Sequence, residues 1–211
     1  LQSSFSIYIY NMNSLFHSEP FRLELPDADI VYFPNFFDKV EADKIFVDLL
    51  ENTEWQQDSI KVYGKTHLQP RLTALYGNEG KPYSYSNIKM YPHNWTLLLQ
   101  KIKFYIESVA NTNFTTVLLN NYRNGNDSNG WHADDEKELG INPTIASVSF
   151  GAERNFQLKH NNDKTLKKNI VLEHGSLLLM KGATQHNWKH QIPKTAKPVG
   201  PRINLTFRVI H

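Results

Sequence analysis

The stretch "PRINLTFRVI", residues 201–210, decides how this chain folds. Along an extended strand, successive side chains point to opposite faces. Arg202, Asn204, Thr206 and Arg208 therefore share one side, and Ile203, Leu205, Phe207 and Val209 share the other. The apolar side calls for a core. The polar side has two readings: the wet face of an edge strand, or the lining of a barrel. In a barrel, two guanidinium groups would be unpaired buried charges unless an anion with more than one carboxylate met them. Guanidinium forks bind carboxylates through paired N–H donors, which suits the second reading.

Working outward, short β-branched and aromatic runs alternate with Gly, Asn and Asp turns from about residue 114 onward. These are "FTTVLLNNY", "TIASVSFG", "RNFQLKH", "KNIVLEHG" and "SLLLMKG". The tract "HNNDKTLKKN" reads as a basic, solvated hairpin tip between two of them. Upstream, "FDKVEADKIFVDLLENTEW" reads as a helix. Asp38 caps it, Glu41 follows three residues on, and Val40, Phe46, Val47, Leu49 and Leu50 form its apolar positions. "HNWTLLLQKIKFYIESVAN" is a second amphipathic helix through Leu98, Ile102, Tyr105, Ile106 and Val109. Helices followed by evenly spaced strands predict an α+β protein with a jelly-roll core and N-terminal helices packed on it.

The totals narrow the chemistry. A chain of 211 residues suits one domain and can bury a substantial core. The net charge of +2 does not announce a nucleic-acid binder, although it leaves room for a local basic surface. No apolar run is long enough to span a membrane, and no signal-peptide pattern opens the chain. It begins with Leu rather than Met, so its native start is expected to lie elsewhere. With no cysteine there are no disulfides, thiolate zinc sites or cysteine nucleophiles. Any metal must be held by histidine and carboxylate.

"NGWHADDEKELG", residues 129–140, offers both, with His132 followed by Asp134, Asp135, Glu136 and Glu138. An acidic cluster alone is usually a solvated turn. His132 and Asp134, however, are two apart, so on an extended segment they project the same way. His190 in "NWKHQIP" lies shortly before the arginine strand. An H-x-D pair with one distant histidine is the pattern of a two-histidine, one-carboxylate facial site for non-haem Fe(II). His186 is a rival third ligand by position, but His190 has the better spacing from the arginines. His160 and His174 read as structural or surface residues.

Together with "PRLTALYG", "NNYRNGND", "WHADDE", "IASVSFGAERNF", "HGSLLLM" and "HNWKHQIP", these residues resemble the AlkB family of Fe(II)- and 2-oxoglutarate-dependent dioxygenases. The match lies with its duplex-preferring DNA-repair branch and extends from about "YFPNFF" to the end of the chain. The resemblance implies a double-stranded β-helix and one dioxygenase domain over residues 1–211. Helices and nucleotide-recognition hairpins would occupy about 30–113, and the catalytic jelly roll about 114–211. It makes His132, Asp134 and His190 the iron ligands, and gives Asn120, Tyr122, Arg202, Asn204, Thr206 and Arg208 to the cosubstrate. The two arginines would neutralise its two carboxylates. No catalytic side chain beyond the metal site is implied.

The implied reaction is oxidative demethylation of N-alkylated bases in DNA, of the 1-methyladenine and 3-methylcytosine type. It uses Fe(II), O2 and 2-oxoglutarate and releases succinate, CO2 and formaldehyde. The family's repair enzymes rotate the damaged base out of the helix. "GKPYSYSN" matches the base-pocket strand, with Tyr83, Ser84 and Tyr85; Tyr85 would stack on one face of the base and His132 would lie against the other. Asp135 would meet the exocyclic amino edge of a base made cationic by methylation. "KVYGKTHLQPR" matches a wedge in which Tyr63 fills the gap left by the base. Gly64 would turn the chain behind it, and Lys65 and Arg71 would reach phosphates. The implied partner is alkylated DNA, with RNA as the other polymer, and the implied state is a monomer away from membranes, in bacterial cytoplasm or a eukaryotic nucleus. Two rivals remain: an oxygenase of the same fold acting on RNA or protein, and a non-enzymatic jelly-roll binding module.

Overall fold

The arginine strand lies at the heart of the structure. In this computed structural model residues 19–62, 65–78, 83–85 and 88–211 are described; for 60–62, 65, 83–85 and 88–90 the description covers the backbone alone. The strand, β15 (Arg202–Arg208), pairs with β8 (Thr116–Tyr122) on one side and β10 (Ile145–Gly151) on the other. It belongs to a seven-stranded sheet completed by β1 (Phe21–Arg22), β2 (Asp29–Phe33), β5 (Leu72–Gly77) and β13 (Ser176–Lys181), in the order β1-β2-β13-β10-β15-β8-β5. The strand is therefore central, and every residue in it is buried. Its polar face is not the wet face of an edge.

A smaller sheet lies across it, ordered β12-β11-β14-β9. Its strands are β9 (Asn129–His132), β11 (Arg154–His160), β12 (Lys167–Leu172) and β14 (Trp188–Ile192). Two antiparallel hairpins stand apart. One is β3 (Ser59–Val62) with β4 (Lys65–Leu68), and the other is β6 (Tyr83–Tyr85) with β7 (Ile88–Met90). The predicted hairpin tip joins β11 to β12.

Two apolar layers follow from the alternation of side chains. Val117, Leu119, Val148, Ile203, Leu205 and Phe207 pack against α1 (Lys39–Asn52) and α2 (Leu97–Ala110). Leu118, Tyr122, Ile145 and Leu178 face Phe156, Leu158, Leu172 and Trp188 of the smaller sheet. The result is helices, large sheet, small sheet: the expected jelly roll with helices on one face. Asp38 caps α1 by accepting from the Glu41 N–H at 2.8 Å, as its sequence position predicts. The buried stripe of α1 is Ala42, Ile45 and Leu49. Val40 and Val47 were predicted to be core-facing but are exposed, because the stripe falls on the opposite arc of the helix. In α2 the stripe runs through Leu99, Ile102, Ile106 and Ala110, with Leu98, Tyr105 and Val109 on its flanks. Both helices have 14 residues, and no described helix is long and apolar enough to cross a membrane.

The expected division near residue 113 is not an architectural boundary. β2 pairs with β13 and β5 pairs with β8, so strands from the N-terminal part complete the large sheet. Both are short runs of apolar residues whose sheet membership depends on partners distant in sequence. At the β10–β11 turn, Gly151 takes a positive φ of 85°, and a Cβ there would run into the Pro201 carbonyl and the Phe46 ring.

Candidate metal and cosubstrate site

β9 and β14 place two histidines opposite each other: His132 pairs with His190, with ring centroids 4.2 Å apart. Asp134 follows in the bend after β9. Its peptide N–H donates to Gln185 Oε1 at 2.9 Å, which fixes the bend against α3 (Thr184–Asn187). The potential ligand atoms of His132, Asp134 and His190 all lie within 4.8 Å of one another. His186, the rival ligand, is exposed on α3. His160 and His174 lie elsewhere in structural roles: His160 Nδ1 accepts from the Asn162 and Asp163 amides, and His174 Nδ1 accepts from the Gly151 amide.

The three side chains are chemically suited to a divalent metal. His132 Nδ1 lies 2.7 Å from the Gly130 carbonyl; a proton there donates to that oxygen and leaves the lone pair on Nε2, which accepts from Asn129 Nδ2 at 3.2 Å and would turn to a metal. His190 is only 6% exposed, and its ring stacks on Phe156. Burial, reinforced by His132, pushes the His190 pKa down to about 3, and burial also lowers that of His132, so both rings are neutral. Burial alone would raise the Asp134 pKa. The charge of Arg208, with smaller help from the histidines, outweighs it and holds the carboxyl at about 2. Two neutral imidazoles and one carboxylate on one side of a cleft are the donor set of a facial Fe(II) site.

The polar face of β15 forms the floor of the cleft these residues share. Register explains which residues join it. Asn204 lies opposite Asn120 and Arg202 opposite Tyr122, while β10 sets Ser149 beside Asn204 and Ser147 beside Thr206. Asn204 Nδ2 donates to Ser147 Oγ at 2.8 Å, and Thr206 Oγ1 donates to Asn204 Oδ1 at 3.0 Å. Phe156, Leu172, Met180 and Ile192 supply apolar walls. Ser147 and Ser149 were not among the predicted residues; their alternation within "IASVSFG" was the available signal.

The two arginines differ. Arg208 Nη2 donates to Asp134 Oδ1 at 2.7 Å, so its charge is matched by a carboxylate of the chain itself. Arg202 is 1% exposed and donates from Nη2 to Ser149 Oγ at 2.9 Å. Its Nε and Nη1 have no hydrogen-bond partner among the described residues. Burial lowers its pKa to about 10, which leaves it cationic at neutral pH. A buried cation with two unsatisfied donors in a cleft is suited to a carboxylate. The residues thus fit both a metal and a dicarboxylate, the iron and 2-oxoglutarate of the resemblance.

Of the remaining predicted residues, Asp135 is exposed, next to Asp134 in the chain. Arg71 is a correction. It is buried, donating from Nε to Asn120 Oδ1 at 2.8 Å and from Nη1 to the Ser128 carbonyl at 3.3 Å, so it braces the cleft floor and does not face a phosphate. Tyr63 and Gly64 lie outside the described residues, between strands paired through Val62 and Lys65. Tyr83, Ser84, Tyr85 and Lys65 are described only as strand backbone.

Comparison with known proteins agrees with this geometry. The family model for the 2OG-Fe(II) oxygenase superfamily matches residues 29–208. The human protein named alpha-ketoglutarate-dependent dioxygenase alkB homolog 3 is 42% identical over 191 residues, covering 86% of this chain and 66% of its own length. The human DNA oxidative demethylase ALKBH2 is 39% identical over 184 residues, covering 82% of this chain and 70% of its own. This chain thus spans about two thirds of the length of these relatives. A solved structure, that of OsALKBH1, superposes with a TM-score of 0.65 at 17% identity, covering 90% of this chain and 100% of the other, and supports the fold. The three converging ligands, the anion-ready arginine and the matched length have one common explanation: the chain belongs to the 2OG-Fe(II) oxygenase superfamily, and within it to the AlkB proteins.

Proposed function

We propose that this chain is an oxidative demethylase of N-alkylated bases in DNA, of the 1-methyladenine and 3-methylcytosine type. The observation that carries the reading is the convergence of His132, Asp134 and His190 beside a buried Arg202 with unsatisfied donors. The name of the relative ALKBH2, a DNA oxidative demethylase, supports the choice of substrate. Fe(II) and 2-oxoglutarate, when bound with O2, supply the oxidation that hydroxylates the N-methyl carbon, from which formaldehyde leaves.

The chain's own residues do the rest. His132, Asp134 and His190 hold the metal, and Arg208 keeps Asp134 ionised and oriented. Arg202 anchors the far carboxylate of the cosubstrate, with Tyr122, Asn120, Asn204 and Thr206 completing its hydrogen bonds. Arg71 holds the Asn120 carbonyl in place by donating to it from Nε. Phe156, Leu172, Met180 and Ile192 limit water around the reacting carbon. Asp135, exposed beside Asp134, meets the positive charge of a methylated ring, and the resemblance gives the base pocket to Tyr83, Ser84 and Tyr85. The resemblance gives the wedge to Tyr63, Gly64 and Lys65. All these groups come from one chain, so a monomer suffices.

The test is turnover of oligonucleotides bearing 1-methyladenine, single- and double-stranded, with Fe(II) and 2-oxoglutarate. Formaldehyde release and replacement of the base's methyl group by hydrogen, a net mass loss of CH2, are the expected results, and His190→Ala abolishes both. Consumption of 2-oxoglutarate without base repair would move the substrate elsewhere. No consumption at all would leave a binding module.

A further inference from the structure

The outer face of the smaller sheet carries a feature that the cleft does not use. β11 sets Lys159 directly opposite Lys189 of β14 on one side and Lys167 of β12 on the other. Three lysine residues thus stand in one row across three adjacent strands, their Cα positions spanning about 10 Å at normal strand spacing. Lys167 and Lys189 are exposed and Lys159 is half-buried. None of the three meets a carboxylate among the described residues. Like charges directly opposite one another weaken a sheet, so this row opposes folding unless an anion meets it. The next row is neutral and hydrogen-bonding: Gln157 lies opposite Asn169 and Gln191, and Gln191 Nε2 donates to Gln157 Oε1 at 2.6 Å.

At the edge of this face stands Trp131 of β9, 39% exposed, with Lys159 Nζ 4.3 Å from its ring centroid. That contact puts Trp131 on the lysine side of the sheet. Its chain neighbour His132 points the other way, into the cleft. An aromatic platform and a metal ligand thus stand back to back on one strand.

The geometry points to a track for single-stranded nucleic acid on this face. Trp131 stacks a base just outside the cleft, and Lys159, Lys167 and Lys189 take phosphates of the strand leading away. Aromatic platforms flanked by cations bind single strands because unpaired bases offer free faces; a duplex hides them. The track rests on the reading of the cleft as a nucleic-acid site, and it concerns nucleotides beyond the damaged one. The modest net charge of +2 conceals it because the basic charge is local.

The experiment compares a trinucleotide and a single-stranded 15-mer, each bearing 1-methyladenine, on the full chain with Fe(II) and 2-oxoglutarate. Wild-type protein is expected to bind the 15-mer more tightly and to turn over both. The triple variant Lys159→Gln, Lys167→Gln, Lys189→Gln is expected to lose affinity for the 15-mer. Its dependence of log affinity on log salt flattens by about 2, at about 0.7 per lost phosphate contact, while kcat on the trinucleotide is unchanged. Trp131→Ala weakens 15-mer binding about tenfold and removes the quench of tryptophan fluorescence on binding. Unchanged affinity and salt slope in both variants would overturn the track, as would losses equal on the trinucleotide and the 15-mer, or anionic vesicles competing as well as the 15-mer. Turnover of the trinucleotide with variant-insensitive 15-mer binding sinks the track alone. Lysine-dependent 15-mer binding without any formaldehyde sinks the demethylase reading alone.

Discussion

Arg202 and Arg208 occupy the same face of the same strand, and both are almost fully buried, yet their situations are opposite. Arg208 has Asp134 at 2.7 Å, and the pair sits where two imidazoles converge. Arg202 has one serine hydroxyl on Nη2 and the face of Tyr122 at 5.2 Å, with Nε and Nη1 unsatisfied. One end of the cleft is closed by the chain's own charges. The other is left incomplete, and a buried site stays incomplete only at a cost that a ligand removes. The difference shows where the protein supplies its own counter-charge and where it waits for one.

The largest expected effect tests that contrast in the metal-free protein. Removing one partner of a buried ion pair costs about 3–5 kcal/mol because the other charge is stranded. Arg208→Met should therefore lower Tm by about 6–20 °C for a chain of this size. Arg202→Met strands nothing and should leave Tm unchanged or raise it. Thermal unfolding of the two variants side by side decides the matter, and equal losses would break the comparison. The second test adds 2-oxoglutarate. Hydrogen bonds to charged groups contribute about 1.5–3 kcal/mol each, so losing two weakens binding at least about 100-fold. Calorimetry should show that loss in Arg202→Met, together with the disappearance of the Tm rise that 2-oxoglutarate gives the wild type.

Much of this was legible in the sequence because strand periodicity is strict. The two-residue repeat alone put Arg202, Asn204, Thr206 and Arg208 on one face, and the spacing of His132 and Asp134 put both at one place. What periodicity cannot supply is pairing. That β15 is central, and hence its polar face dry, depends on β8 and β10 flanking it. The different fates of the two arginines depend on which loop comes back beside each. Arg71 was misread for the same reason: nothing near it in sequence reveals that Asn120 and the Ser128 carbonyl come to meet it. Val40 and Val47 were misread because a helix with scattered apolar residues presents more than one arc, and only the packed sheet selects among them.

A smaller effect is expected beside Asp134, on the Arg208 side. Asp135 adjoins the metal ligands but is exposed and belongs to the substrate in the proposed reading. Asp135→Ala should lower kcat/KM on a methylated oligonucleotide about tenfold, the equivalent of about 1.4 kcal/mol. Iron content by elemental analysis should stay normal. Loss of iron would make Asp135 part of the closed end and not of the substrate mouth.

The smallest effect lies behind the Arg202 end, where the loop after β8 is held by charge. Asp127 accepts from the Arg123 amide and from Arg123 Nε and Nη2, while Arg154 donates to the Asn124, Asp127 and Pro193 carbonyls beside Tyr122. Burial would raise the Asp127 pKa, but its bonds to Arg123, aided by the charges of Arg123 and Arg154, bring it below the ordinary 3.8. A carboxyl with a depressed folded pKa stabilises the fold fully above the unfolded value and loses that contribution as pH falls through the folded one. Asp127→Asn should therefore cost about 1 kcal/mol at pH 7, and the gap from wild type should persist at pH 5 and shrink by pH 3. Urea unfolding at the three pH values measures it. A gap as wide at pH 3 would mean that the loop is held by shape and not by charge.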